Sequence, residues 1–507
     1  MDIFLKAIRL VNFKIFKDET ILCNKELNIF VGDNATGKST ILQALDIVLS
    51  GSITKVMTIG LENLINVDVA SDWMKTQTLG SLPMMRVELF FEMPNLPKFE
   101  KYFGEKYLGA QNVSKYGIKM VCAPNANRNE NIAKTIHDRK CTTFPFELYE
   151  VQFSTFGRDQ YSGYERPCHF LYVDNTAINT ARALRYVIES TYQNAVEEVD
   201  RASTQYQFRQ HVSCFKLPQS ALGKNLTVIG DLTSCLDIKD KGVSLANCGE
   251  GKISICKTKS ALDKRVTDVS ILALEEPENH LSHYNLRHLI SMVRNRAEDN
   301  QLFIVTHSSY ITSRLGLQNA FFVRNGNVSS LSKLSPDTSD FFMKAPNDNL
   351  LQFVLSRKVI LVEGAAEYIL MDKFIREVTG METSPTYIWI MALNNLSFRR
   401  YLEVGKLLDM KIAVVRDNDG NPQKWYEDLQ SDNRKVFSDP IKERKTFEVC
   451  LYQDNKDVLD SIFPDREFVL DYMLKHKAEA AYQILVANQK LVVPQYIKEA
   501  IEWIWRP

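Results

Sequence analysis

Residues Gly32-Asp33-Asn34-Ala35-Thr36-Gly37-Lys38-Ser39-Thr40 separate an apolar run, Leu27 to Val31, from a helical pattern, Thr40 to Leu49. No other stretch restricts the possible folds as strongly. It fits G-x-x-x-x-G-K-[ST], in which consecutive backbone N–H groups wrap a phosphate chain, the lysine reaches the outer phosphates and the hydroxyl ligates magnesium. Such a loop needs a buried strand to deliver it and a helix whose positive N-terminal end faces the anion. The expectation is an α/β nucleotide-binding domain, with Asn34, Gly37, Lys38, Ser39 and Thr40 touching the nucleotide and Ser39 also on its metal.

A chain of 507 residues exceeds the size at which one hydrophobic core stops growing, so at least two domains are expected. Lys plus Arg and Asp plus Glu each total 62. That balance excludes a generally cationic surface and confines any nucleic-acid site to a local groove. The nine cysteines form no C-x-x-C pair and no zinc-like Cys/His spacing, which favours free thiols in a reducing, cytoplasmic setting. Lys6, Arg9 and Lys14 interrupt the first apolar residues, and no run approaches about 18 apolar residues, so neither a signal peptide nor a membrane span is expected.

Alternation predicts a leading strand from Ile3 to Phe16, then strands at Met85–Met93, Ile118–Cys122, Phe146–Phe153 and Cys168–Val173. A helix from Ala181 to about Ser203 and another over Gln205–Phe215 suggest a helical insertion across roughly 180–240, serving as an arm, a dimerisation surface or core packing. Strand Val269–Leu274, helix His280–Ala297 and strand Leu302–Val305 then alternate. That order argues for a mainly parallel sheet with ligands off its carboxyl ends. Ser, Asn, Asp and Pro dominate from Asn325 to Asn349, which divides the chain into 1–345 and 346–507. The second part alternates again, through strand Val359–Val362, helix Ala365–Val378, strand Tyr387–Ala392, helix Ser397–Leu408 and strand Lys411–Val415.

Leu272-Ala273-Leu274-Glu275-Glu276-Pro277-Glu278 ends a buried strand in carboxylates. Magnesium needs one carboxylate and an attacking water needs another, and Glu275 and Glu276 can divide those tasks. Ile304-Val305-Thr306-His307 ends a second strand in a histidine suited to a terminal phosphate or the water. These blocks, with Asn12-Phe13 ahead of the phosphate loop, resemble the ABC-type ATPases of the RecF, SMC and OLD (overcoming lysogenisation defect) group. The resemblance implies ATP sandwiched between two head-to-tail subunits, each lending a glycine-bearing signature loop to its partner's γ-phosphate. Asn247-Cys248-Gly249-Glu250-Gly251 stands in that place, with Gly249 and Gly251 as nucleotide contacts. Ala35 replaces a common glycine, Glu275 the usual aspartate, the signature lacks its serine and no Q-loop glutamine is evident, departures that weigh on hydrolysis and dimer closure more than on binding.

Val359-Ile360-Leu361-Val362-Glu363-Gly364-Ala365-Ala366-Glu367 delivers Glu363 to a glycine turn, and Ile412 to Gly420 ends another buried strand in Asp417-Asn418-Asp419. These carboxylates make an oxygen-only nest suited to magnesium or manganese. The pairing is similar to the Toprim domain of topoisomerases, DnaG-type primases and OLD nucleases. With no cleavage-domain tyrosine or zinc module evident, an ATPase followed by Toprim is the OLD arrangement. The resemblance implies Glu363, Glu367, Asp417, Asp419 and Glu448 as metal ligands or acid/base groups, with Glu448 on a strand. Lys477, on a helix, would stabilise charge on the phosphate in the transition state. Lys435, Lys442, Arg444, Lys445, Lys475 and Lys477 form a set that tracks a phosphate backbone or lies on an exposed mixed-charge loop. His280 and His283 belong to a helix start.

The resulting expectation is a metal-dependent DNA endonuclease governed by an ABC-type ATPase, using ATP and Mg²⁺ or Mn²⁺, and assembled as a homodimer or higher even oligomer. The resemblance places it in prokaryotic anti-phage defence, as in Gabija systems and some retrons, beside a companion defence protein or retron component. The competing reading is a RecF- or SMC-like ATP-dependent DNA-binding protein whose Toprim domain does not cut. An RNA substrate stays open.

Overall fold

The computed structural model describes residues 3–104, 116–139, 141–176, 180–213, 232–240, 242–262, 270–297, 300–344, 350–381, 388–393, 397–420 and 427–506. They form two compact units. The first runs to Leu315 and takes in Asn319–Ser330, and the second comprises Gly316–Gln318 and the chain from Leu331 onward.

The first unit opens with β1 (Phe4–Phe13), β2 (Phe16–Leu22) and β3 (Leu27–Val31). Next come β4 (Met85–Glu92), β5 (Tyr116–Pro124), β6 (Tyr149–Thr155) and β7 (His169–Asp174). A short pair, β8 (Lys239–Asp240) and β9 (Val243–Ser244), precedes β10 (Ser270–Glu275), β11 (Gln301–Val305), β12 (Ala320–Arg324) and β13 (Asn327–Ser330). One sheet, in the order β13-β12-β3-β11-β10-β7, is parallel except for its edge strand β13. This is the sheet the strand–helix alternation predicts. The other, β2-β1-β4-β5-β6, is wholly antiparallel. The expected leading strand stops at Phe13, because Asn12 and Lys14 take left-handed φ values of 51° and 48° and turn the chain back as a hairpin.

Buried Gln301 stitches the two sheets. Its amide accepts the Leu5 N–H at 2.7 Å and donates to the carbonyls of Leu5 and Asn24, each at 2.8 Å. In the parallel sheet Phe30 is fully buried and lies against Phe321 and Phe303, with ring centroids at 5.2 and 6.4 Å.

The expected helix from Ala181 to Ser203 is two helices, Thr180–Ala195 and Glu198–Ser213. Glu198 and Asp200 lie in the first turn of the second, where acidic side chains favour a new helix N-terminus. The expected Gln205–Phe215 helix is the end of this element. Its last residues, residues 214–231 of the insertion, Val269 and Tyr387 lie outside the described residues.

Apart from Gly316–Gln318, the second unit starts at Leu331, not at 346. The stretch that reads as a linker contains β13 and a helix, Pro336–Lys344. That helix belongs to the second unit because Phe342 meets Tyr401 edge-on at 5.0 Å and Glu403 accepts the Ser335 N–H at 2.7 Å. Four parallel strands form its sheet: β14 (Lys358–Val362), β15 (Ile388–Ala392), β16 (Lys411–Val415) and β17 (Arg434–Phe437), in the order β15-β14-β16-β17. Val359 to Val362 are fully buried, as helix-covered parallel strands require. Both units are thus α/β, the second a Rossmann-like layer with a parallel centre. Among the described residues no helix is long and apolar enough to cross a membrane.

Replacing Phe30 with alanine removes a ring packed on two sides. The first unit is expected to lose about 3–5 kcal/mol, measured by denaturant titration, and an unchanged midpoint would show that the stack is not part of its core.

Candidate nucleotide and carboxylate sites

Parallel pairing brings the carboxyl ends of β3, β11, β10 and β7 to one edge of their sheet, with Glu275 in register with Val305 and with Asp174. The phosphate loop leaves β3 there and enters the helix Lys38–Ser50. Gly37 holds φ at 108°, and a Cβ on it would stand 2.7 Å from Ile15 Cγ2, so only glycine fits. Ala35 keeps a left-handed φ of 60° and carries the steric cost that glycine avoids.

The loop walls a cavity of ≈ 740 Å³ that also meets Lys14, Glu275, Glu276, Glu278 and His307. Asn34, Gly37, Lys38, Ser39 and Thr40 all line it. The Lys38 ammonium folds onto its own loop, donating to the carbonyls of Gly32 at 2.9 Å and Asp33 at 2.7 Å. Burial lowers its pKa, against the pull of the surrounding carboxylates.

Glu275 accepts a hydrogen bond from the Tyr172 hydroxyl on neighbouring β7. Glu276, at a left-handed φ of 44°, has its carboxylate 3.3 Å from His307 Nε2. Burial, and then the adjacent Glu278, push the Glu276 pKa up, while burial and Lys38 pull the His307 pKa down. Both shifts favour neutral forms, a carboxyl facing an imidazole, which is an arrangement for passing a proton. Glu278, absent from the sequence-derived site, fixes the histidine turn. Its Oε1 accepts the N–H groups of His307 at 3.0 Å and Ser308 at 3.1 Å, and the Thr306 hydroxyl. The E-P-E spacing was its signal. Lys14 and Thr176 are also added by the structure, Lys14 because the β1–β2 turn faces the loop.

Gly249 and Gly251 do not line this cavity. Gly251 begins the helix Glu250–Leu262 so close to the His280 carbonyl that a Cβ would meet its oxygen at 2.1 Å, whereas Gly249 faces open space. His280 Nδ1 lies 3.2 Å from Glu250, and His283 begins its helix, so the pair is structural.

In the second unit the register Val362↔Val415 sets the ends of β14 and β16 side by side. Glu363 accepts the Asp417 N–H at 3.2 Å. Glu367, in the first turn of helix Ala365–Thr379, and Glu448 are buried. Glu448 comes from the first turn of a helix, Phe447–Asp454, and not from a strand. The same turn gives its Phe447 N–H to Asp417 at 2.7 Å. Lys477, at the N-terminus of helix Lys477–Ala487, reaches Glu448 at 3.1 Å.

Burial and the mutual repulsion of these carboxylates push the pKa of Asp417 to about 8 and that of Glu367 to about 7. Asp419 is diverted. Its backbone is left-handed at φ 52° and its carboxylate pairs with Arg416 at 3.0 Å. The basic set is also dispersed: Arg444 is held by Asp454 at 2.7 Å and Asp439 at 2.9 Å, and Lys435 stands over Trp503.

Among the described residues no three side chains already stand at ion-holding spacing. The carboxylate oxygens are turned to the Asp417 and Phe447 N–H groups and to Lys477. The donor set nonetheless suits a hard cation, being oxygen-only with more negative groups than the single lysine balances.

Known proteins match along the same divisions. Residues 4–142 match an AAA ATPase domain, and 188–313 an AAA domain described as a putative AbiEii toxin of a type IV toxin–antitoxin system. Residues 354–419 match the TOPRIM domain of overcoming lysogenization defect protein-like sequences. The chain joins an AAA ATPase domain to an OLD-like Toprim domain, as an OLD-family fusion does. An ATPase domain implies ATP binding. The DNA replication and repair protein RecF of Clostridium kluyveri is 34% identical over 86 residues, 17% of this chain and 23% of that protein. RecF of Acetivibrio thermocellus is 46% identical over 48 residues, 10% and 13% of the respective chains. The chain therefore spans less than a quarter of these relatives. The SMC head domain from Thermotoga maritima aligns with 65% of this chain and 99% of its own, at 15% identity and a TM-score of 0.32. A RecF–ATP structure aligns over 65% and 99%, at 13% and 0.34.

The raised pKa values of Asp417 and Glu367 mean that the folded chain holds protons the unfolded chain has lost. Their stabilising contribution is complete in acid and disappears as pH rises through about 7 to about 8. In metal-free buffer the second unit is expected to melt at progressively lower temperature from about pH 5 to about pH 9, and Asp417→Asn should flatten that fall. A profile unaltered by the substitution would contradict the carboxylate coupling.

Proposed function

We propose that this protein is a metal-dependent DNA endonuclease whose Toprim carboxylates hold Mg²⁺ or Mn²⁺ and whose ATPase domain controls cutting. The observation that carries the reading is the meeting of Glu363, Glu367, Asp417 and Glu448, from four separate elements, beside Lys477. When bound, one or two such cations stabilise the attacking and leaving oxygens of a phosphodiester displacement. Glu363, Glu367, Asp417 and Glu448 would hold them. Asp419 joins that set only on exchanging Arg416 for a cation. Lys477, released from Glu448, offsets charge on the phosphate.

In the ATPase domain Lys38 and the loop N–H groups bind the phosphates, Ser39 and Glu275 hold the accompanying Mg²⁺, and Glu276 with His307 orients the attacking water. Gly249 and Gly251, which do not line the cavity of their own chain, serve the nucleotide of a second copy, which makes the working state a homodimer or higher even oligomer. The DNA role named for the RecF relatives supports DNA as substrate. A cytoplasmic place in anti-phage defence beside a companion protein or retron component belongs to the same proposal.

The second reading, a DNA-binding ATPase with a non-cutting Toprim domain, is favoured by one observation, the diversion of Asp419 onto Arg416. Supercoiled plasmid separates the two. The wild type is expected to nick it with Mg²⁺ or Mn²⁺, and Glu363→Ala or Asp417→Ala to slow nicking by roughly 100-fold or more, the scale of losing a group that stabilises transition-state charge. Intact plasmid in both metals, with and without ATP, would sink the nuclease. Lys38→Ala should abolish the response of nicking to ATP; a variant that responds as the wild type does would remove the ATPase from control.

A further inference from the structure

We propose that the Thr446 hydroxyl is reserved for an oxygen bound to the cation of the carboxylate pocket. The proposal rests on the metal-binding reading of the Toprim site and adds a residue to it. Thr446 occupies the N-cap of helix Phe447–Asp454, where a threonine hydroxyl ordinarily accepts an orphan N–H of the first turn. Its backbone behaves as a cap, extended at φ −130° with its carbonyl accepting the Cys450 N–H at 3.1 Å. The side chain does not: it makes no capping bond, and Oγ1 is buried without a hydrogen-bond partner among the described residues.

A buried hydroxyl with no partner costs about 1–3 kcal/mol. Valine has the same shape without that cost, so packing alone does not account for threonine.

The surroundings indicate what the hydroxyl waits for. The Lys445 carbonyl accepts the Asp419 N–H at 3.2 Å, the Phe447 N–H donates to Asp417 at 2.7 Å, and Glu448 faces Lys477. Thr446 is thus held between two residues bonded to the Asp417–Asp419 turn. Arg444 anchors the segment from the other side through Asp439 and Asp454. Ionised carboxylates only accept hydrogen bonds. Lys477 is already engaged by Glu448, whereas the Thr446 hydroxyl, next to the Phe447 N–H that binds Asp417, has no partner among the described residues. A water on a hydrated cation and a non-bridging oxygen of a phosphodiester present the same chemistry to it.

The test uses the full chain as wild type, Thr446→Val and Thr446→Ser, with three measurements: melting temperature without metal, Mn²⁺ affinity by calorimetry without DNA, and the kcat and KM of plasmid nicking. In metal-free buffer Thr446→Val is expected to melt no lower than the wild type, because it loses no hydrogen bond. If the hydroxyl serves the hydrated cation, Thr446→Val weakens Mn²⁺ binding about tenfold, and Thr446→Ser restores it. If it serves the phosphate, Mn²⁺ affinity holds while kcat/KM falls by a similar factor and Thr446→Ser again recovers it. Thr446→Val with unchanged Mn²⁺ affinity and unchanged nicking overturns the proposal. So does a lower metal-free melting temperature, which would reveal a structural hydrogen bond. Should the wild type not nick DNA at all, the stability and Mn²⁺ measurements still decide the role of Thr446 separately from that failure.

Discussion

Like charges at the ends of buried strands repel one another, and each unit is built around that difficulty. Three carboxylates, Glu275, Glu276 and Glu278, share the nucleotide cavity with Lys38 and Lys14. Tyr172, His307 and backbone N–H groups take up part of the negative charge. In the Toprim unit Glu363, Glu367, Asp417 and Glu448 are met by Lys477 and by backbone N–H groups, and the deficit appears as the raised pKa values of Asp417 and Glu367. A proton relieves such a cluster in acid. At neutral pH a divalent cation does so better, because it adds charge without removing the oxygens that ligate it.

Parallel pairing creates both clusters. A strand that is apolar on both faces carries no charge until it leaves the sheet, so the first polar residues of neighbouring strands emerge together. The registers Glu275↔Val305 and Val362↔Val415 turn that rule into particular meetings: Glu276 with His307, and Glu363 with the Asp417 turn. The antiparallel sheet has a different task. Through Gln301 it is tied to β11, and its β1–β2 hairpin supplies the Ile15 and Phe16 side chains that press on Gly37. The phosphate loop owes its shape to that packing as well as to its own glycines.

Several site residues were readable because burial and charge change abruptly at one place in the chain. Leu272-Ala273-Leu274 running into Glu275-Glu276, and Val359 to Val362 running into Glu363, are such places. Glu448 was readable as an acid but not as part of a helix, since K-T-F-E is too short to carry a period. Glu278 was passed over because one more acid after two looks like a solvated turn. Its use depends on three donors from the 306–308 turn. Arg444 looked like one of a phosphate-tracking set, yet Asp439 and Asp454 neutralise it; adjacency in sequence does not say which acid will lie across from it. The antiparallel sheet was invisible for a related reason. Alternation marks its strands but does not name their partners.

By itself the sequence determined that this chain makes two α/β layers, that a phosphate loop opens the first, and that buried strands in both end in carboxylates. Those features are local: a glycine that must hold a left-handed φ, an apolar run too short for a helix, a charge that has to stand where burial stops. Tertiary structure decided which charges face one another. It turned Asp419 aside onto Arg416, set Glu448 opposite Lys477, kept Gly249 and Gly251 out of the lining of the nucleotide cavity, and left the Thr446 hydroxyl buried without a partner among the described residues. Each of these depends on strand register and helix placement between residues distant in the chain, where the Coulomb and hydrogen-bond terms are large but no short sequence pattern records them.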